Sequence, residues 1–139
     1  MSERDVQWFL RELSAAWGAL DPRAVAALHD APFLWSSPHG AHAYADAAAI
    51  ESAFAARIAL YRERGVVQVG LAETRIHAPQ FLRVAVFATV EATWRLWRAD
   101  RTPMLTYHTS HIVRRTPAGW RISSTASHDE AAGFPSLRG

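Results

Sequence analysis

Three runs decide the fold of this chain: FLRVAVFATVEATWRLW (81–97), MLTYHTSHIVRR (104–115) and WRISSTASH (120–128). In the first, Leu82, Val84, Val86, Ala88, Val90, Ala92, Trp94 and Leu96 are apolar, whereas Arg83, Thr89, Glu91, Thr93 and Arg95 fill the alternate parity. A period of two is the mark of a strand with one buried face. The run is long, and the small side chains of Ala88 and Ala92 are where a sheet can bend. Asp100-Arg101 separates the first run from the second, and Thr116 to Gly119, with Pro117 and Gly119, separates the second from the third; both are turn chemistry. The stretch reads as three consecutive antiparallel strands.

The turns also fix a register, and a slip of one residue would exchange the two faces. With Asp100 and Arg101 as turn residues, Ala99 opposes Thr102, and Leu105, Tyr107, Thr109, His111 and Val113 join the buried face. With Val113 opposite Ile122, that face gains Trp120, Ile122, Ser124, Ala126 and His128. Aliphatic residues then gather at one end and Tyr107, His111, Ser124 and His128 at the other. His108, Ser110, Ile112, Glu91 and Arg95 fall on the opposite face, and a one-residue shift in the first turn would exchange His111 for His108.

Working outward, Val6, Phe9, Leu10, Leu13, Ala16, Trp17 and Leu20 recur at helical spacing from about Glu3 to Leu20, behind Ser2 as N-cap. Asp21-Pro22 restarts a helix to about Asp30, with Val25 and Leu28 inward and Pro32 closing it. Ala31 to Ser37 is a brief apolar strand ending at Pro38, and Ser36 to His42 reads as loop. Asp46 caps a third helix with Ile50, Phe54, Ile58 and Tyr61 on one face, and Gly65 ends it. Val66 to His77 is a further strand. The sequence predicts an α+β fold: three N-terminal helices packed on a strongly curved antiparallel sheet, forming a cone with an internal pocket. Residues 1–130 form a single domain and 131–139 a flexible tail.

Bulk properties narrow the function. The 139 residues suffice for one domain, and a hydrophobic fraction of 50% excludes disorder. Cysteine is absent, so no disulfide, thiol nucleophile or thiolate metal site is available. All 15 basic residues are arginine, which removes Schiff-base chemistry through a lysine side chain. The pI of 9.7 accompanies a formal net charge of only +2, and the arginines are scattered, so nucleic acid is not an expected partner. The N-terminus lacks a signal-peptide core, and no apolar run nears the roughly 20 residues that span a bilayer. A cytoplasmic location, with no membrane partner, is the expectation.

Three segments carry a family likeness: Val25-Ala-Ala-Leu-His-Asp-Ala-Pro-Phe-Leu-Trp-Ser-Ser-Pro, the helix Ala49-Ile-Glu-Ser-Ala-Phe, and the hairpin Val113-Arg-Arg-Thr-Pro-Ala-Gly-Trp-Arg-Ile. In their order and spacing the chain resembles the nuclear transport factor 2-like superfamily, in particular its SnoaL-like branch, from about Asp5 to His128. The resemblance implies a cone whose pocket is lined by the first helices, the short strand and the concave sheet face, and often a dimer through the other sheet face. Ketosteroid isomerase-like members carry an aspartate base before a proline in the short strand; the matching position here is Ser37, before Pro38. A serine cannot relay a carbon acid's proton as a carboxylate does. Scytalone dehydratase-like members use histidines, tyrosines and an aspartate, residue types that are present here.

The candidate site follows from these faces. His111 is the proton-transfer candidate, because imidazole titrates near neutrality, with Tyr107 as hydrogen-bond donor and Asp30 as the carboxylate that orients it. Trp17, Trp35, Trp94, Phe33, His29, Ser124 and His128 are the expected walls for a small hydrophobic molecule. The bland reading of the same residues is a polar core satisfied by hydrogen bonds, with the tryptophans as filling and Asp30 as a helix-end residue. His39 and His42 read as exposed loop histidines rather than zinc ligands, and neither metal nor organic cofactor is expected. The chemistry expected of such a site is isomerisation, dehydration or cyclisation; the alternative is a ligand-binding or dimerisation module without chemistry. Phe81, Phe87, Trp97 and Ile112 on the outer parity point to a homodimer through that face.

Overall fold

The chain's first hard stop is Asp21, whose carboxylate accepts the backbone N–H groups of Arg23 (3.1 Å) and Ala24 (3.2 Å) and so satisfies donors that the helix cannot. A computed structural model describes residues 3–77 and 87–130. Helix α1 (Glu3–Gly18) precedes that cap and α2 (Pro22–Ala27) follows it. Then come β1 (His29–Ser37), β2 (Gly40–Tyr44), α3 (Ala47–Glu63), β3 (Val66–His77), β4 (Phe87–Arg98), β5 (Pro103–Thr116) and β6 (Gly119–Ser127). Asp46 caps α3 by accepting from the Ala49 N–H at 2.8 Å, and α3 buries Ile50, Phe54, Ile58 and Tyr61, the stripe its sequence predicts. The predicted segment 81–86, the Ser2 cap and the tail 131–139 lie outside the described residues.

The six strands form one curved sheet in the order β2-β1-β6-β5-β4-β3. The three helices cover its inner face, so the architecture is the α+β arrangement expected. Two features go beyond the sequence reading. The segment taken as loop is a hairpin: Ser37 pairs with Gly40 and Phe33 with Tyr44, which makes 40–44 an edge strand. And β1 does not stand apart from the meander; it runs parallel to β6, with Leu34 beside Ser124 and Trp35 beside Thr125. Helix α2 stops at Ala27 rather than near Asp30, because β1 begins at His29 and Ile122 N–H bonds to the Leu28 carbonyl at 2.9 Å.

Along the ladder the register of β4 against β5 is the one expected: Ala88, Val90, Ala92, Trp94 and Leu96 oppose Val113, His111, Thr109, Tyr107 and Leu105. The turn differs, because Arg98 and not Ala99 opposes Thr102, and Met104 as an extra residue in β5 restores the parity. Val113 opposes Ile122, also as expected, but the next pair is Ile112 with Ser124. Ser123 is thus an extra residue in β6, a bulge whose hydroxyl donates to the Ile112 carbonyl at 3.3 Å. Beyond it the parity flips. Thr125 and Ser127 are buried, and Ser124 and His128 go to the outer face, which corrects their predicted place on the inner one.

Among the described residues no helix is long and apolar enough to cross a membrane. The core lies between the helices and the inner sheet face, and Phe54 is near its centre, 5.5 Å from Trp17 and 4.5 Å from His29 between ring centroids. Phe54→Ala should lower the unfolding free energy by about 3–5 kcal/mol, read as a reduced urea midpoint with an unchanged slope. A loss below 1 kcal/mol would show that this ring is not the packing centre.

Candidate functional site

One end of the inner face carries hydroxyls and rings instead of aliphatic side chains. Trp94 Nε1–H donates to Thr109 Oγ1 at 2.8 Å, Thr109 Oγ1 lies 2.7 Å from His111 Nε2, and His111 Nδ1 lies 2.8 Å from Thr125 Oγ1. Both imidazole nitrogens are therefore used, whichever carries the proton. His111 is 5% exposed; burial, and secondarily His29, pushes its pKa down from 6.5 to about 3. Tyr107 stacks on Trp94 at 6.4 Å and 14°, and its hydroxyl meets that of Tyr61 at 3.4 Å. Burial and the nearby Glu130 carboxylate hold both phenols above their ordinary value.

The structure brings together His111, Tyr107, Trp94 and Trp17, the last with its ring 6.1 Å from that of Trp94. All four are buried, so the two tryptophans belong to the core. Phe33 is buried too, beside His29, whose Nδ1–H donates to the Val25 carbonyl at 2.8 Å. Burial takes the His29 pKa from 6.5 to about 4, against the raising effect of that hydrogen bond. Asp30 is not with them. Arg114, on the outer face of β5, binds it through Nη2 and through Nε at 3.1 Å, so the predicted orienting carboxylate belongs to the opposite side of the sheet. His128 is exposed there as well, with Nε2 2.9 Å from Ser110 Oγ. His108 also lies outside, its Nδ1 2.8 Å from Asp129 Oδ2. His39 and His42 are exposed in the β1–β2 hairpin.

A second cluster escaped the sequence reading. Arg57 and Tyr61 stand one helical turn apart on α3, and both donate to the carboxylate of Glu130, which is 2% exposed just beyond β6. The Arg57 guanidinium lies over the Trp35 ring at 4.0 Å. Burial is the largest single influence and works against its charge, but the Glu130 carboxylate together with Tyr61 and Tyr107 outweighs it and holds the guanidinium above its usual value. The i, i+4 spacing of Arg57 and Tyr61 was a readable signal; nothing marked Glu130, which follows His128 and Asp129 in a polar stretch.

A concavity of about 540 Å³ lies on the outer face, between Glu73 and Arg75 of β3, Glu91 and Thr93 of β4, and His108 and Ser110 of β5. It is polar and of mixed charge. Among the described residues, no group of three or more His, Asp or Glu side chains converges as a metal site would need.

The buried imidazole gives a pH dependence. In the folded chain His111 stays neutral down to about pH 3, whereas unfolded it protonates near 6.5, so the unfolded state binds more protons between these values and stability falls with falling pH. The share from His111 is about 2 kcal/mol between pH 7 and pH 5. His111→Gln should lose that share of the slope of urea midpoint against pH. Parallel slopes in wild type and variant would contradict the burial argument.

With this geometry in place, the comparisons are specific about fold. The sequence profile of a family described as NTF2-like protein (DUF6841) matches residues 3–130. No curated protein matches the chain. Solved structures superpose well at low identity. An NTF-2 like protein of unknown function from Shewanella oneidensis MR-1 gives a TM-score of 0.70 at 17% identity, covering 93% of this chain and 100% of its own. An NTF2-like protein with a cystatin-like fold from Novosphingobium aromaticivorans gives 0.67 at 17%, with 96% and 86% covered. A Streptomyces avermitilis protein described as a "putative dehydratase from the NTF2-like family" gives 0.64 at 13%, with 90% and 93% covered. Helices on a curved sheet of this order, and a profile match over nearly the whole length, make the chain a member of the NTF2-like family DUF6841.

Proposed function

We propose that this protein binds a small, flat, largely apolar molecule at the hydroxyl-rich end of the inner sheet face, and that His111 holds that face together without exchanging protons with the ligand. The observation that carries this reading is the commitment of both His111 nitrogens to Thr109 and Thr125, with no carboxylate among their hydrogen-bond partners. A general base at neutral pH needs a pKa near the working pH and a free lone pair, and a buried imidazole pushed down to about 3 offers neither. Tyr61 and Tyr107 supply the polar contacts, and Trp94, Trp17 and Trp35 the apolar area. The dehydratase wording attached to the Streptomyces avermitilis neighbour supports the rival, acid-base reading of the same face.

The molecule is further proposed to work as a homodimer through its outer face. Ile112 and Phe87, each 42% exposed and diagonal to one another on β5 and β4, share that face with the exposed Leu34 of β1, which Ser124 of β6 separates from Ile112.

The probe for the first proposal is 2-naphthol, a flat neutral phenol, titrated against intrinsic tryptophan emission. Saturable quenching is expected. Tyr107→Phe should weaken it by about 1 kcal/mol, roughly fivefold, for one lost hydrogen bond, and His111→Gln should bind within about twofold of wild type if the ring has no direct contact. Absence of saturation, or loss of binding in a folded His111→Gln protein, sinks the reading. For the second, sedimentation equilibrium should return about twice the chain mass of 15.4 kDa, and Ile112→Arg should return a monomer, because a charge at this position opposes its burial. A monomeric wild type disproves the dimer.

A further inference from the structure

Glu130 is the one acidic side chain among the buried core residues described; it has helical backbone and follows the bend at His128 and Asp129 that leaves β6. In the bend before it, Asp129 is fixed to β5 by two hydrogen bonds with His108, one from the His108 N–H at 2.7 Å. The Glu130 carboxylate is taken up by Arg57 and Tyr61, beside the Tyr107 hydroxyl. Arg57 itself is pre-set: its guanidinium stacks on Trp35 at 4.0 Å, which leaves the edge of the fork for a planar oxyanion. Replacing a buried ion pair by apolar groups is often neutral or stabilising, so packing alone gives no reason to keep a carboxylate and a guanidinium here. The surroundings are the aromatic groups Trp35, Tyr61 and Tyr107.

We infer that Arg57, backed by Trp35 and flanked by Tyr61, is a receptor for the carboxylate of a small aromatic acid, and that Glu130 occupies this receptor while the ligand is absent. The inference rests on the proposed small-molecule site and names its ligand class. The ligand carboxylate takes the position of the Glu130 carboxylate, its ring lies towards Tyr107 and Trp94, and Glu130 swings out about the connection that follows β6. Self-occupancy lowers the apparent affinity by the fraction of molecules in which the receptor is filled from within. It also explains how the receptor charge is kept paired between ligands.

The test compares 2-naphthoate with 2-naphthol on the full chain, in wild type, Glu130→Gln, Arg57→Gln and the double variant, with near-ultraviolet circular dichroism as the check on folding. Glu130→Gln keeps the shape of the side chain and removes the competing charge. It should tighten 2-naphthoate by about tenfold or more and leave 2-naphthol within about twofold. Adding Arg57→Gln should abolish the gain. If 2-naphthol binds but 2-naphthoate gains nothing in a folded Glu130→Gln protein, or gains equally without Arg57, the receptor assignment is wrong and the pocket stands. If neither compound binds any folded variant, the pocket reading has failed and takes this inference with it. Should Glu130→Gln not fold, Glu130→Asp, which shortens the reach by one methylene while keeping the charge, replaces it: tighter 2-naphthoate binding supports displacement and unchanged binding overturns it.

Discussion

The turn from Arg98 to Thr102 decides which half of β5 faces the helices. Arg98 N–H bonds to the Thr102 carbonyl at 3.0 Å, Arg101 takes a positive φ of 66°, and Asp100 accepts from both the backbone and the hydroxyl of Thr102, at 3.0 and 2.6 Å. Those hydrogen bonds also hold the exposed Asp100 carboxyl below its ordinary value. From this anchor Trp97 meets Pro103; Met104 is then an extra residue in β5, and beyond it Trp94 meets Tyr107 and Val90 meets His111 along the ladder. A slip of one residue would carry His108 and Ser110 into the core and turn the Tyr107 and His111 side chains out to water.

The inner face that results mixes two kinds of buried polar group. Trp94, Thr109, His111 and Thr125 form a neutral string in which each group meets another, and such strings are tolerated in a core because no donor or acceptor is left over. Arg57 and Glu130 are charged, and their burial is supported by mutual pairing, by the Tyr61 hydroxyl and by the Trp35 ring. Tyr107 joins the two, stacked on Trp94 at one side and meeting Tyr61 at the other. The neutral string fixes side-chain positions; the charged pair is where the proposed carboxylate receptor lies.

Most of the fold was legible because it is written in short-range patterns. The caps Asp21 and Asp46, the stripe Ile50–Phe54–Ile58–Tyr61 and the alternation of β4 each depend on neighbours a few residues away. What was misread depends on distant partners. The bulge at Ser123 lies in a polar run, Ser123-Ser124-Thr125, whose alternation is too weak to show a parity change, so Ser124 and His128 were assigned to the wrong face. Asp30 was expected to orient His111, but Arg114, on another strand, holds it. Glu130 and Arg57 are 73 residues apart in the chain, and no local pattern announces such a pair.

The place of β6 between β1 and β5 has an outcome for how the molecule is made. A ribosome delivers α1 to β2 first, yet the strand that couples this half to the meander is the last to leave the exit tunnel. Until then the edge of β1 has no neighbour on that side, and the helices have only part of a surface to rest on. Closure of the sheet therefore waits for β6, the strand that sets β1 beside β5.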